Sequence, residues 1–249
     1  MGTPEDLPEA RHLGQLESFD PKALFATDEK EREVCAFVLA LALAFNDIKD
    51  CRLALGTLNP YLPKVGSLKI SPAAGQGLGL QNHILRHFYA VLSELVLLIN
   101  KNPKPQAEPA FQSAISSLHR KDREIWRELT NLASTAQRTN KLLKALAKIR
   151  NEVASHYYGL EGLMRGYDHF FETLAPREHQ AYLSRGQTAA ASRFYFADAA
   201  AQGHVSLELQ ELPLKELTEL SQHITIALYQ IVTRFLETRA GGFYRGEAA

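Results

Sequence analysis

The chain has 249 residues, with 28 Lys+Arg against 28 Asp+Glu, so it carries no formal net charge before its histidines titrate. At 45% hydrophobic and 22% charged it has the makeup of a globular protein long enough to bury a core, as one large domain or two small ones. Zero net charge excludes a strongly basic nucleic-acid coat, though not a local basic patch.

The polar N-terminal stretch MGTPEDLPEARHLG contains no hydrophobic signal segment. Residues 1–26 lack sustained periodicity and contain prolines, which predicts a flexible N-terminal arm. Asp28 followed by Glu31 has the spacing of a capping box and opens an apolar-rich helix running to about Leu55. Its longest uncharged apolar run, Val34 to Phe45, falls short of the roughly 20 residues that span a bilayer, so it reads as a buried helix and no membrane partner is expected. Cys35 and Cys51, the two cysteines, share this helix roughly 24 Å apart at about 1.5 Å per residue. A disulfide framework is excluded, and the expected compartment is cytoplasmic.

Prolines and glycines between Asn59 and Gly79 predict a long inter-helix loop. A second helix follows, with Ile84, Phe88, Val91, Leu95 and Leu98 forming one apolar stripe. The stretch NKNPKPQAEP, residues 100–109, reads as a linker, and a third helical stretch starts near Phe111 with a break around His119. From Arg123 to Tyr158 a three-four rhythm through Leu129, Leu132, Leu143, Leu146, Ile149 and Val153 predicts one long bundle helix ended by Gly159. A shorter helix is expected over 163–174. QAYLSRGQ and SRFYFAD, around a Gly-Gln-Thr break, suit either a small β-hairpin near 180–198 or a loop. A last amphipathic helix runs from Pro213 to Gly241. The expected whole is an all-α, up-and-down helical bundle: arm 1–26, one helical domain 27–242 and tail 243–249.

Most site signatures are missing: no GxxxxGK[ST], CxxC pair, GxSxG or HExxH occurs. GQGLG at Gly75–Gly79 lacks the strand and the third glycine of a dinucleotide fingerprint. His83 and His87 stand at i and i+4, the spacing of a metal pair, but Arg86 between them opposes a cation and no third ligand is evident. They read as surface or packing histidines, and no metal or cofactor is expected.

One stretch carries chemistry: Lys148-Ile149-Arg150-Asn151-Glu152-Val153-Ala154-Ser155-His156-Tyr157-Tyr158. It resembles the signature of the HEPN domain, a helical-bundle family whose motif is Arg, four to six residues, then His, commonly with Asn after the Arg. The composition predicts about 0.02 chance occurrences of Arg-Asn with His at this spacing. The resemblance implies metal-independent endoribonuclease activity on RNA, in a prokaryotic toxin or defence setting. Histidine suits proton transfer near neutrality, and the planar arginine fork suits phosphate oxygens. His156 would move protons, Arg150 would stabilise phosphate charge, and Asn151 would orient Arg150 or bond substrate.

In a regular helix six residues turn through about 240°, which leaves Arg150 and His156 some 120° apart. Family members assemble the pair by dimerising around a twofold axis, so a homodimer is expected. Tyr158 completes Arg-x5-His-x-Tyr, resembling toxin members paired with a nucleotidyltransferase antitoxin, whose tyrosine here is nucleotidylated. A cognate antitoxin is one implied partner, although those members are compact and this chain is much longer. Tyr158 otherwise packs at a helix end.

No acidic residue occurs from Leu129 to Asn151, and Lys141, Lys144 and Lys148 share one helix face. This basic stripe either tracks an RNA backbone toward the motif or is a solvated face. The competing reading of the whole is a non-catalytic HEPN-like module that binds nucleic acid, nucleotide or protein.

Overall fold

A computed structural model describes residues 17–24, 26, 28–62, 71–134, 140–154, 160–175, 181–189, 192–210, 214–240 and 243–245, without the side chains of 214–220, 240, 244 and 245. Among the described residues the architecture is an all-α bundle. Its helices are α1 (Glu29–Leu58), α2 (Pro72–Lys101), α3 (Pro103–Ala107), α4 (Pro109–Ser117), α5 (Arg120–Ser134), α6 (Lys141–Ile149), α7 (Leu160–His169), α8 (Tyr195–Leu209) and α9 (Leu214–Ala240). Two-residue strands β1 (Glu17–Ser18) and β2 (Tyr244–Arg245) pair antiparallel. The described part of the arm is docked on the body. Arg239 Nε donates to Ala23 O at 2.6 Å, and Leu24 and Ala26 pack against the core.

Local chemistry sets the helix starts. The Asp28 carboxylate accepts from Glu31 N at 3.0 Å, as the capping spacing predicts, while the Glu31 carboxylate pairs with Arg239. The expected loop over 59–79 is shorter than the glycines suggest. A short 3-10 turn (Asn59–Tyr61) follows α1, and α2 begins at Pro72 behind a Ser71 cap that accepts from Ala74 N at 3.2 Å. Gly75 and Gly79 therefore lie inside a helix, where the Tyr195 ring and the Arg193 guanidinium occupy the space a Cβ would need. The expected linker over 100–109 is also largely helical. Pro103 and Pro109 sit at first helical positions, where a missing N–H costs nothing, and so begin helices instead of ending them.

The single helix expected over 123–158 is divided. Asn140 is extended (φ −87, ψ 118), and its side chain caps α6 by accepting from Leu143 N at 3.1 Å. Of the hairpin and the loop that suit residues 180–198, the described residues show only the start of a hairpin. One antiparallel bridge joins Ser184 and Arg193, and the chain is helical again from Tyr195. The second arm is tied to α2, with Tyr195 Oη donating to Pro72 O at 3.0 Å and Arg193 Nη1 to Gln76 Oε1 at 3.3 Å, and Arg193 also pairs with Asp198 of α8.

The main core lies among α1, α2, α4, α5, α6 and α9. Leu41, Leu92, Leu95, Phe111, Leu129, Leu146, Ile149, Leu228, Ile231 and Phe235 are fully buried. Phe111 bridges Phe37 and Trp126 by ring contacts. Cys35 and Cys51 are buried free thiols, and burial pushes both above the ordinary thiol range. Among the described residues no helix is long and apolar enough to cross a membrane.

Candidate functional site

α6 is sharply two-faced. Leu143, Leu146 and Ile149 are buried, while Lys141, Lys144 and Lys148 are exposed along the opposite side. The lysine stripe is thus a solvent-facing surface. It runs into Arg150–Ala154, one of two five-residue π-helical turns among the described residues, the other being Phe170–Leu174. Such turns cluster at functional sites. Over these five residues the winding is wider than in a regular α-helix.

The turn is pinned from α2. The Arg150 Nε forms an ion pair with Glu94, and its Nη1 donates to Asn151 Oδ1 at 3.1 Å. Arg86 Nη1 donates to Val153 O at 2.7 Å, and Val153 itself is fully buried. Arg150 is partly exposed and Asn151 is exposed. His156, Tyr157 and Tyr158 lie outside the described residues. Arg150, Asn151 and Lys148 are therefore brought to one place, and the motif's histidine and tyrosine are not located.

Lys148 is not a lone cation. Its Nζ stands 3.0 Å from Glu208 on α8, and Arg165 of α7 reaches the same carboxylate at 3.6 Å. Arg165 also stands 3.7 Å from Glu152, the acid inside the motif turn, whose Oε2 lies 3.5 Å from His204 Nε2. His204 is completely buried, and neither of its ring nitrogens, nor Glu152 Oε2, has a hydrogen-bond partner of good geometry among the described residues. Burial depresses the His204 pKa most, Glu152 and Glu208 pull it back up, and Arg165 adds a smaller depression.

This cluster exists because α7 and α8 touch nearly backbone to backbone. A Cβ at Gly166 would land on the Ala200 carbonyl, one at Gly203 on the Gly166 carbonyl, and one at Gly162 on the Glu152 carboxylate. Glu94, Arg165, His204 and Glu208 carry no site signal of their own in the sequence, and Arg86 and Glu152 carry none for this role. The available signals were the i, i+4 pair His204–Glu208 and the Gly162-x3-Gly166 spacing. Both are weak in a soluble chain, and neither names a partner.

A cleft of about 420 Å³ opens between α2 and α8 beside the turn, floored by Leu85, Tyr89, Val205 and Leu209 and edged by Arg86. His83 and His87 are exposed on α2. Burial, then Arg86, His87 and Arg193, hold the His83 pKa low against the pull of Asp198, an environment hostile to a cation. Among the described residues no group of three or more His, Cys, Asp or Glu stands close enough to hold a metal. No family model matches the chain, and neither does any curated protein or solved structure.

Proposed function

We propose that this chain is a metal-independent endoribonuclease of the HEPN type, acting as a homodimer in a prokaryotic toxin or defence setting. The observation that supports it best is an exposed lysine face ending at a π-helical turn that presents Arg150 and Asn151. Lys141, Lys144 and Lys148 would follow the RNA backbone, a contact that tracks charge and not base identity. At the motif, His156 would take the ribose 2′-hydroxyl proton, and the oxygen so freed would attack the adjacent phosphorus. The bond to the 5′-oxygen breaks, that oxygen receives a proton, and a 2′,3′-cyclic phosphate remains. Arg150 would stabilise the charge that builds on the phosphorane. Asn151 holds one guanidinium nitrogen, which fixes the plane of the fork. Tyr158 would support substrate binding.

The second reading, a non-catalytic module that binds RNA or a partner protein, is favoured by one specific feature. Arg150 and Lys148 already have carboxylate partners in Glu94 and Glu208, so a phosphate has to compete with an acid for either cation.

The experiment is cleavage of end-labelled RNA by the purified chain in EDTA. Cleavage is expected, with His156→Ala and Arg150→Ala each slower by about 100-fold or more, the scale of a lost acid–base or charge-stabilising group. Lys144→Ala is expected to weaken RNA binding evenly across sequences and to reduce its salt dependence. RNA bound but never cut assigns the second reading, and full activity in His156→Ala overturns the first.

A further inference from the structure

The polar cluster behind the motif is balanced in charge only while His204 is neutral. Lys148 of α6 and Arg165 of α7 supply two positive charges. Glu152 of the motif turn and Glu208 of α8 supply two negative ones. Glu152, Glu208 and Arg165 act on the His204 ring directly, Lys148 reaches it only through Glu208, and α2 brings Arg86 to the Val153 carbonyl of the same turn. The Glu208 side chain is only 10% exposed, so it cannot recover much hydration if it loses a partner. Lys148, at 48%, is the one member of that pair that can swing to solvent.

We infer that binding of a phosphate chain at the Lys148 end of the basic face is coupled to uptake of a proton by His204. The inference rests on the reading of that face as an RNA contact, and it adds a regulation to the same site. When Lys148 leaves Glu208 for a phosphate, two carboxylates remain with Arg165 alone. His204 sits one helical turn from Glu208 and 3.5 Å from Glu152 Oε2. A proton on its ring restores the balance. It also makes both ring nitrogens donors, so the one that stands 3.5 Å from Glu152 Oε2 carries a proton whichever tautomer the neutral ring held. Burial opposes that proton and the acids favour it, so the state of Lys148 decides the outcome. The sign follows by linkage: if binding promotes protonation, lower pH strengthens binding across the range in which His204 titrates.

Two measurements test this, and the first needs no nucleic acid. In the free chain, Lys148→Met is expected to raise the NMR titration midpoint of the His204 ring by about half a unit or more. Adding Glu208→Gln, which removes the carboxylate that carries the effect, should cancel the rise. A midpoint that Lys148→Met does not move overturns the coupling. The second is calorimetry of a 2′-O-methyl oligouridylate, which cannot be cleaved, in buffers of different ionisation enthalpy near pH 6.5. Wild type should take up protons on binding and bind roughly threefold more tightly at pH 6 than at pH 7.5. Glu208→Gln should bind without either effect.

Binding by wild type without proton uptake overturns this inference and leaves the RNA reading standing. Proton-coupled binding without any cleavage of natural RNA supports this inference and removes the ribonuclease. If the oligonucleotide does not bind, the RNA reading falls and the coupling to it falls with it.

Discussion

Around α1, α2 and α9 the helices are held apart by large side chains, whereas α7 and α8 meet with almost nothing between their backbones. The first region buries Leu41, Leu92, Ile231 and Phe235 in one apolar mass, a core in which every methylene contributes. The second has Gly162, Gly166, Ala200 and Gly203 at its contact and a set of ionised or polar groups at its edge. Losing atoms should damage the first region, and gaining atoms should damage the second. The difference also assigns the regions separate work. The apolar mass fixes the positions of α2 and α6, and the glycine contact brings His204 against the motif turn.

The largest effect is expected from Phe235→Ala. Phe235 is 1% exposed and its ring carries Arg239 at 5.6 Å. The loss should be about 3–5 kcal/mol, read as a lower urea midpoint. Gly203→Ala comes next, at about 1–3 kcal/mol, because its new methyl meets the Gly166 carbonyl and only a helix shift can relieve it. An alanine at 203 that leaves stability unchanged would erase the contrast between the regions and remove the wall that buries His204.

The first region was legible in the sequence and the second was not, for a physical reason. The three-four rhythm through Phe88, Val91 and Leu95 marks a buried stripe because apolar side chains state their own burial, and all three are buried. Asp28 announces its helix for a similar reason: a cap acts on backbone three residues away. Glycine and proline carry no such statement. Gly75 and Gly79 read as loop residues until Tyr195 and Arg193 occupy the space beside them. Pro103 and Pro109 read as breakers although they begin helices. The break at Asn140 is hidden by the apolar rhythm that continues from Leu132 to Leu143. At the candidate site, the exposed lysine face and the Arg150–Asn151 contact follow from local spacing. The partners that set their charge, Glu94 and Glu208, lie more than fifty residues away along the chain, and one sequence has no local signal for such pairs.

The smallest effect separates the two regions most cleanly, because it applies the same substitution with the opposite sign. Gly56 lies in α1, two residues before the helix ends, and is exposed; a Cβ there would meet nothing within 4 Å. Gly56→Ala therefore adds no clash. It restricts the unfolded chain and favours helical backbone, worth up to about 1 kcal/mol in a helix interior and less in a fraying last turn. For a chain of this length that corresponds to a rise of roughly 2–4 °C at most in the thermal midpoint. Gly56→Ala up and Gly203→Ala down, in one melting series, would show that free space and not residue type sets the outcome. A fall at Gly56 would mean that α1 needs a glycine there for its conformation, and the contrast between crowded and open glycines would then not explain either region.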